Sequence, residues 1–190
     1  MRLVLASRNA HKAAEFARLL APHAVEPLPE DVALPPEDGD SFAANALPKA
    51  RAAAAATGRP AFADDSGIEA AALGGRPGVR SARFAGEDAT DADNLARLLV
   101  EAPAGSGLVY VCALAYVDPA TGDQALLEGR CTGRVADAPR GAGGFGYDPA
   151  FVPDDRSDGR TMAELDPAEK DAISHRGRAA RALLAQLAAG

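Results

Sequence analysis

Apolar positions along the chain alternate between short continuous runs and helical spacing. Residues 2–6 are a brief branched-aliphatic run that reads as a buried strand. Asn9 is placed to cap the next segment, where Ala13, Phe16, Ala17 and Leu20 recur at three- and four-residue steps, the spacing of one helix face. Residues 26–40 carry six acids and four prolines with no Lys or Arg, and read as an acidic loop. Residues 41–57 are alanine-dense and helical by propensity, with Pro48 expected to kink or restart the helix and Gly58-Arg59-Pro60 to end it. Ala61-Phe62-Ala63 reads as a short strand entering a tight turn at Asp64-Asp65-Ser66-Gly67, with residues 68–73 returning as its partner. Thr90 caps a helix carrying Leu95, Leu98, Leu99 and Ala102, and residues 108–117 hold the best β sequence in the chain. Residues 118–123 form a hairpin turn that returns through residues 124–131. Asp166-Pro167 caps a helix start, and Ala179, Leu183, Leu184 and Leu187 give the last helix an apolar face. Strands alternating with helices make this an α/β chain, with no internal repeat and no linker long enough to separate domains.

At 190 residues the chain fits one domain, or two lobes sharing a core. Its apolar fraction is 47%, but 46 of those residues are alanine; Val, Ile, Leu and Phe together number 37, close to the compositional border of disorder. The periodic segments answer that concern. A net charge of −7 speaks against a nucleic-acid binder held by a basic surface. No run approaches the roughly 18 apolar residues that cross a bilayer, and the N-terminal run is too short for a signal peptide. Cys112 and Cys131 lie in apolar, strand-like contexts and read as small buried hydrophobes. A soluble protein of a reducing, cytoplasmic compartment is expected.

Four polar clusters stand out. Ser7-Arg8-Asn9-Ala10-His11-Lys12 lies where the first strand passes into the first helix, and unpaired N–H groups with a positive dipole end suit phosphate oxygens there; taken alone, a capped, solvated turn is the plainer account. Asp64-Asp65 at a strand end points one carboxylate to each face, so one acid can meet a ligand while its neighbour supports the backbone or a metal's outer shell. Asp65, with Glu37 of the acidic loop, is the candidate pair for Mg²⁺; an Asp-rich turn is the plainer alternative. Residues 141–149, with four glycines among six positions, bring Phe145 and Tyr147 close to a flat ligand, and Phe145 either stacks on a base or fills the core. Lys170 to Gly177 crowds Ser174, His175 and Arg176 into one helix start, which is either a solvated turn, the usual meaning of His followed by Arg, or a group better suited to reading a ligand than to acting as a base. No Gly-x-Ser-x-Gly elbow occurs, which counts against an α/β-hydrolase.

In this order and spacing the clusters resemble the inosine/xanthosine triphosphate pyrophosphatase family. The likeness runs nearly end to end: Ser7-x-Asn9-x-x-Lys12, Asn45-Ala46 with Lys49-Ala50, Ala63-Asp64-Asp65-Ser66-Gly67, Gly74-Gly75-x-Pro77-Gly78 with Ser81-Ala82-Arg83, Gly144 to Pro149, Ala163-Glu164-Leu165 and Lys170-x-x-Ile173-Ser174-His175-Arg176. The resemblance implies one domain over residues 1–190, with a long mixed sheet flanked by helices and two lobes around a nucleotide cleft. It implies hydrolysis of ITP, dITP and XTP to the monophosphate and pyrophosphate, with Mg²⁺ and an activated water, in a homodimer. By the same resemblance Asp65 is the catalytic acid and a metal ligand, and Glu37 is the second metal ligand. Ser7, Arg8, Asn9, Ala10, His11, Lys12, Lys49, Ser66, Phe145, Gly146, Tyr147, Asp148, Lys170, His175 and Arg176 then bind substrate. Two departures stand out: Ala44 occupies a position where members commonly have Glu, and Pro48 is unusual. A pyrophosphatase for modified pyrimidine triphosphates and a nucleotide-binding module without catalysis are the alternatives.

Overall fold

The computed structural model describes residues 1–189. They form two compact units: one of Met1–Asp65, Cys112–Gly129 and the chain from Arg176 on, the other of Ser66–Val111 and Arg130–His175. A six-stranded sheet runs β2-β1-β3-β4-β5-β6, with β1 at Arg2–Leu5, β2 at Ala24–Pro27, β3 at Ala61–Ala70, β4 at Gly107–Val117, β5 at Gln124–Val135 and β6 at Phe151–Pro153. Its β1 edge pairs are parallel and its β5–β6 pair is antiparallel, so the sheet is mixed as expected. The α-helices are α1 (Ala10–Leu19), α2 (Phe42–Thr57), α3 (Asp91–Glu101), α4 (Pro167–Ile173) and α5 (His175–Ala189). No helix of the described residues is long and apolar enough to cross a membrane.

In the first unit, α1 carries the chain from β1 to β2 on one side, and α2 carries it from β2 to β3 on the other side of β1. Strand order therefore reverses at β1, and open α/β sheets place ligands outside the carboxyl ends of the strands at such a point. The register pairs Leu5 with Phe62, so Asp64 and Asp65 of β3 lie beyond the end of β1. Leu3, Leu5, Phe16, Leu20, Phe62 and Leu114 fill this unit's core, with Phe16 and Phe62 edge to face at 5.2 Å. Ala46, Ala50, Ala53 and Ala54 line the inward stripe of α2, so alanine here lets a helix lie close to its neighbours. The second unit packs Ile68, Leu98, Leu108, Tyr110, Phe151 and Met162.

Several expectations hold in detail: Asn9 caps α1, Thr90 caps α3 in a capping box with Asp93, and Asp166 caps α4 ahead of Pro167. Cys112 and Cys131 are free and buried. Others need correction. Asp64-Asp65-Ser66-Gly67 is no turn but the middle of one continuous strand, β3. Gly67 is there for close approach, since a Cβ would stand 2.3 Å from Ser81 Oγ and 2.6 Å from the Gly78 carbonyl oxygen. Residues 24–27, which overlap the expected acidic loop, form the edge strand β2, whose four residues are too few to show alternation and end in proline. Helix α2 does not restart at Pro48 but continues as one helix from Phe42 to Thr57, capped by Ser41 and ended by Gly58 in the left-handed region. The second strand of the central hairpin continues to Val135, past residue 131.

Gly67→Ala is expected to lower the unfolding free energy by about 1–3 kcal/mol, the usual cost of overpacking. Denaturant unfolding of the variant checks this; an unchanged midpoint would show that the Ser81 segment yields easily.

Candidate active site

Asp64 and Asp65 are consecutive in an extended strand, so their side chains leave on opposite faces of the sheet. Asp64 joins the face that Phe62 shares with α1, and it is fully buried there. Its Oδ1 lies 2.8 Å from Lys12 Nζ of α1, and its Oδ2 accepts from Arg176 Nε of α5 at 3.2 Å. The Arg176 guanidinium also donates to Glu15 Oε2 at 3.0 Å. Glu15, Arg176, Asp64 and Lys12 thus form one alternating chain of charges, ending at a lysine in the first turn of α1. Arg176 is committed to two buried carboxylates, so its role is to hold this network more than to read a ligand.

Asp65 faces α2. Asn45 Nδ2 donates to Asp65 Oδ2 at 2.9 Å, and Lys49 Nζ stands 3.8 Å from Oδ1. Asn45 and Lys49 are one helical turn apart, so the same face of α2 supplies both. Lys49 also donates to the Asp64 carbonyl oxygen at 3.0 Å and makes a short contact with Glu37. Asn45 Oδ1 accepts from the Gly39 N–H at 2.8 Å, which ties the acidic loop to the start of α2. A Cβ on Gly39 would meet that Oδ1 at 2.7 Å and the Ala44 Cβ at 2.9 Å, so a side chain there would push against the amide that holds Asp65. One ammonium therefore draws Glu37 and Asp65 to a common place. Asn45 is a residue that sequence reasoning did not assign to the site, although it stood in the quoted Asn-Ala pair. Ala44, beside it, is exposed.

The turn between β1 and α1 has no acid in the first helical turn to offset the positive end of the helix. Asn9 Oδ1 accepts from the N–H groups of His11 and Lys12 at 2.9 and 3.1 Å, and Asn9 N–H donates to Ser7 Oγ at 3.2 Å. Asn9 thus serves the helix as its cap. Arg8 donates to the carbonyls of Glu30 and Val32 at 3.1 and 2.9 Å, which makes it an anchor for the acidic loop. Ala10 and His11 are exposed.

The second unit holds the other candidates. Asp148 is buried, and its carboxylate accepts from Lys170 Nζ at 2.7 Å, Phe145 N–H at 2.9 Å and Tyr110 Oη at 3.1 Å. Gly144 has φ +68°, and a Cβ on it would lie 2.0 Å from Asp148 Oδ2, so the glycine run exists to bring backbone onto this carboxylate. Lys170 Nζ stands 5.4 Å from the Phe145 ring centre, a cation–π contact that leaves Phe145 half-buried. Gly146 N–H donates to Asp91 Oδ2 at 3.1 Å. His175 is buried and stacks on Tyr110 at 4.6 Å. Tyr147 belongs to this unit's core, with its hydroxyl on the Ser81 carbonyl at 2.7 Å, so only its backbone remains to meet a ligand. Ser66 is half-buried on β3. The structure thus gathers Lys12, Lys49, Asp65, Glu37 and Arg176 in the first unit, and Ser66, Phe145, Gly146, Tyr147, Asp148, Lys170 and His175 in the second.

Comparison with known proteins gives a consistent result. The model of the Ham1 family matches residues 3–186. A dITP/XTP pyrophosphatase of Aromatoleum aromaticum is 51% identical over 98% of this chain and 96% of its own length. One from Geobacillus kaustophilus is 50% identical over 93% of this chain and 89% of its own. A solved HAM1 protein from Coxiella burnetii superposes with a TM-score of 0.85 at 41% identity, covering 100% of both chains.

The two adjacent acids titrate in opposite directions. Burial alone would raise Asp64, but Lys12 and Arg176 outweigh it and hold the carboxyl well below its ordinary range. Asp65 is raised, chiefly by burial with a further push from Glu37, against the pull of Lys49 and Asn45. The stability that ionised Asp64 contributes is therefore present above its ordinary value of 3.8 and lost as pH falls below it. What protonated Asp65 contributes is present below 3.8 and lost as pH rises through its raised value. At pH 7, Asp64→Asn is expected to cost about 3–5 kcal/mol by leaving Lys12 and Arg176 buried without their carboxylate. Asp65→Asn is expected to melt at or above the parent temperature. Thermal unfolding of both variants at pH 7 decides; equal losses would contradict the asymmetry.

Proposed function

The chain belongs to the Ham1 family, and on that premise we propose that it hydrolyses the non-canonical purine triphosphates ITP, dITP and XTP to the monophosphate and pyrophosphate. One observation carries this reading: of two adjacent carboxylates beyond the end of β1, one is spent on Lys12 and Arg176 while the other stands beside Lys49 and Glu37. Relatives named dITP/XTP pyrophosphatases at about half identity support it. The candidates of the second unit carry the base-reading side of the same proposal.

Asp65 takes the proton of the attacking water. A base works best when its pKa lies near the working pH, and burial moves Asp65 in that direction. Asn45 holds one of its oxygens, which fixes the orientation of the other. Lys12, Lys49, Ser7 and the α1 N-terminus meet the phosphates and offset charge that moves to the leaving pyrophosphate. Glu37 and Asp65 fit Mg²⁺: both already lie against one cation, and this ion asks for only one or two carboxylates beside phosphate and water. The described residues contain no group of three or more metal-ligating side chains, as a protein-only cage would need. When bound, the ion would supply charge neutralisation at the phosphate oxygens.

For the base, hypoxanthine and xanthine present O6 as an acceptor where adenine presents an amino group. Donors from Lys170 and His175 pair with the former and face a second donor in the latter, leaving buried groups unpaired at about 1–3 kcal/mol each. Phe145 offers a ring for stacking. The proposal also takes residues 1–190 as one domain, a second copy of the chain as partner and the cytoplasm as location.

Pyrophosphate release measured over ITP, XTP, dITP, ATP, GTP and modified pyrimidine triphosphates in excess Mg²⁺ is expected to favour the first three strongly. Equal purine rates, a pyrimidine preference, or tight ITP binding without turnover would each overturn the reading. Asp65→Asn is expected to lower kcat by about 100-fold or more, and parent kcat/KM to fall as pH drops through the raised Asp65 pKa.

A further inference from the structure

Tyr110 lies on β4, is 6% exposed, and belongs to none of the motifs that point to the reaction. Its ring lies against the His175 imidazole at 4.6 Å and 11°, and against Phe151 at 4.5 Å. Its hydroxyl donates to Asp148 Oδ1 at 3.1 Å. The other Asp148 oxygen accepts from Lys170 Nζ and from the Phe145 N–H. One side chain on a sheet strand is therefore in contact with both halves of the base-reading set: directly with His175, and through Asp148 with Lys170 and Phe145. Packing alone does not call for the hydroxyl, because a phenyl ring fills the same core volume.

We propose that Tyr110 is a positioning residue for base selectivity, setting the plane of His175 by stacking and the placement of Lys170 and Phe145 by its bond to Asp148. A buried carboxylate is fixed by its donors, and each of three donors constrains its rotation. Loss of the phenolic O–H lets Asp148 turn toward Lys170 and the Phe145 N–H, which moves the ammonium and the ring away from where they meet a base. Loss of the ring as well frees the imidazole plane. Tyr110 does this without touching the ligand, and the step rests on the pyrophosphatase reading given above.

Tyr110→Phe and Tyr110→Leu separate the two contacts. The readouts are the ratio of kcat/KM for ITP to that for ATP, and the Kd for IMP by calorimetry, which needs no turnover. Tyr110→Phe is expected to lower the ratio and weaken IMP binding by about tenfold each, the size of one hydrogen bond to a charged acceptor, with kcat for ITP within about threefold. Tyr110→Leu is expected to lose more, so the phenyl ring restores some of the selectivity. A Tyr110→Phe protein that keeps both values within about twofold overturns the proposal, even if Tyr110→Leu does not fold. A parent protein that does not discriminate ITP from ATP overturns the pyrophosphatase reading itself; one that does, with an unchanged Tyr110→Phe, removes only the role of Tyr110.

Discussion

Two neighbouring residues of an extended strand cannot face the same way, and in this chain those residues are Asp64 and Asp65. A carboxylate buried on each face of one strand requires a separate set of partners on each side. On one face a buried, ionised Asp64 stays charged only because Lys12 and Arg176 both lie against it, and Arg176 in turn is balanced by Glu15. On the other, Asp65 has one amide and a more distant ammonium, so burial prevails and the proton is held more tightly. Helices α1 and α5 meet the first demand and α2 meets the second. A firmly ionised carboxylate and one whose proton is held more tightly are thereby built one residue apart, with Lys49 reaching the backbone of the first and the side chain of the second.

The second unit solves a similar problem with backbone in place of charge. Asp148 has one lysine, and its remaining donors are an N–H from the glycine run and a phenol from the sheet. Backbone reaches the carboxylate only where no side chain intervenes, which is why Gly144 sits at a positive φ against Asp148. The aromatic residues nearby divide by depth: Tyr110 and Tyr147 lie in the core with their hydroxyls bonded, while Phe145 remains half-buried beneath an ammonium.

Local chemistry made much of this visible in the sequence. Caps announced themselves through Asn9, Thr90 and Asp166, since a side-chain oxygen before a periodic segment has one main use. The run to Val117 was legible because eleven residues of β sequence leave little else to form. Asp64 to Gly67 misled because aspartate, serine and glycine are turn formers, and only the closeness of Ser81, fourteen residues on, explains a glycine inside a strand. Four residues of β2 were hidden for lack of length. At the candidate site, Asp65 and Lys12 stood out by type and position in their clusters, and Lys49 only through the family resemblance. The duties of Arg8, Arg176 and Tyr147 did not, since whether a cation grips a ligand or a carbonyl, or a phenol faces core or cleft, is decided by partners distant in sequence.

The charge balance sharpens the same point. Of twenty cationic side chains only three are lysines, Lys12, Lys49 and Lys170, and each is largely buried against a carboxylate of the candidate site. Arginine serves everywhere else, including the outer ion pairs with Glu26, Glu101 and Asp158. The two cations are not equivalent. Guanidinium is a planar fork suited to two oxygens in line, whereas ammonium is a compact charge whose three donors spread in different directions. Lys49 meets the Asp64 carbonyl, Glu37 and Asp65 from three sides, which a planar fork cannot do. A chain that uses arginine for every generic cation has kept lysine at the points where a small, steerable charge must share a buried space with carboxylates and, under the pyrophosphatase reading, with phosphate.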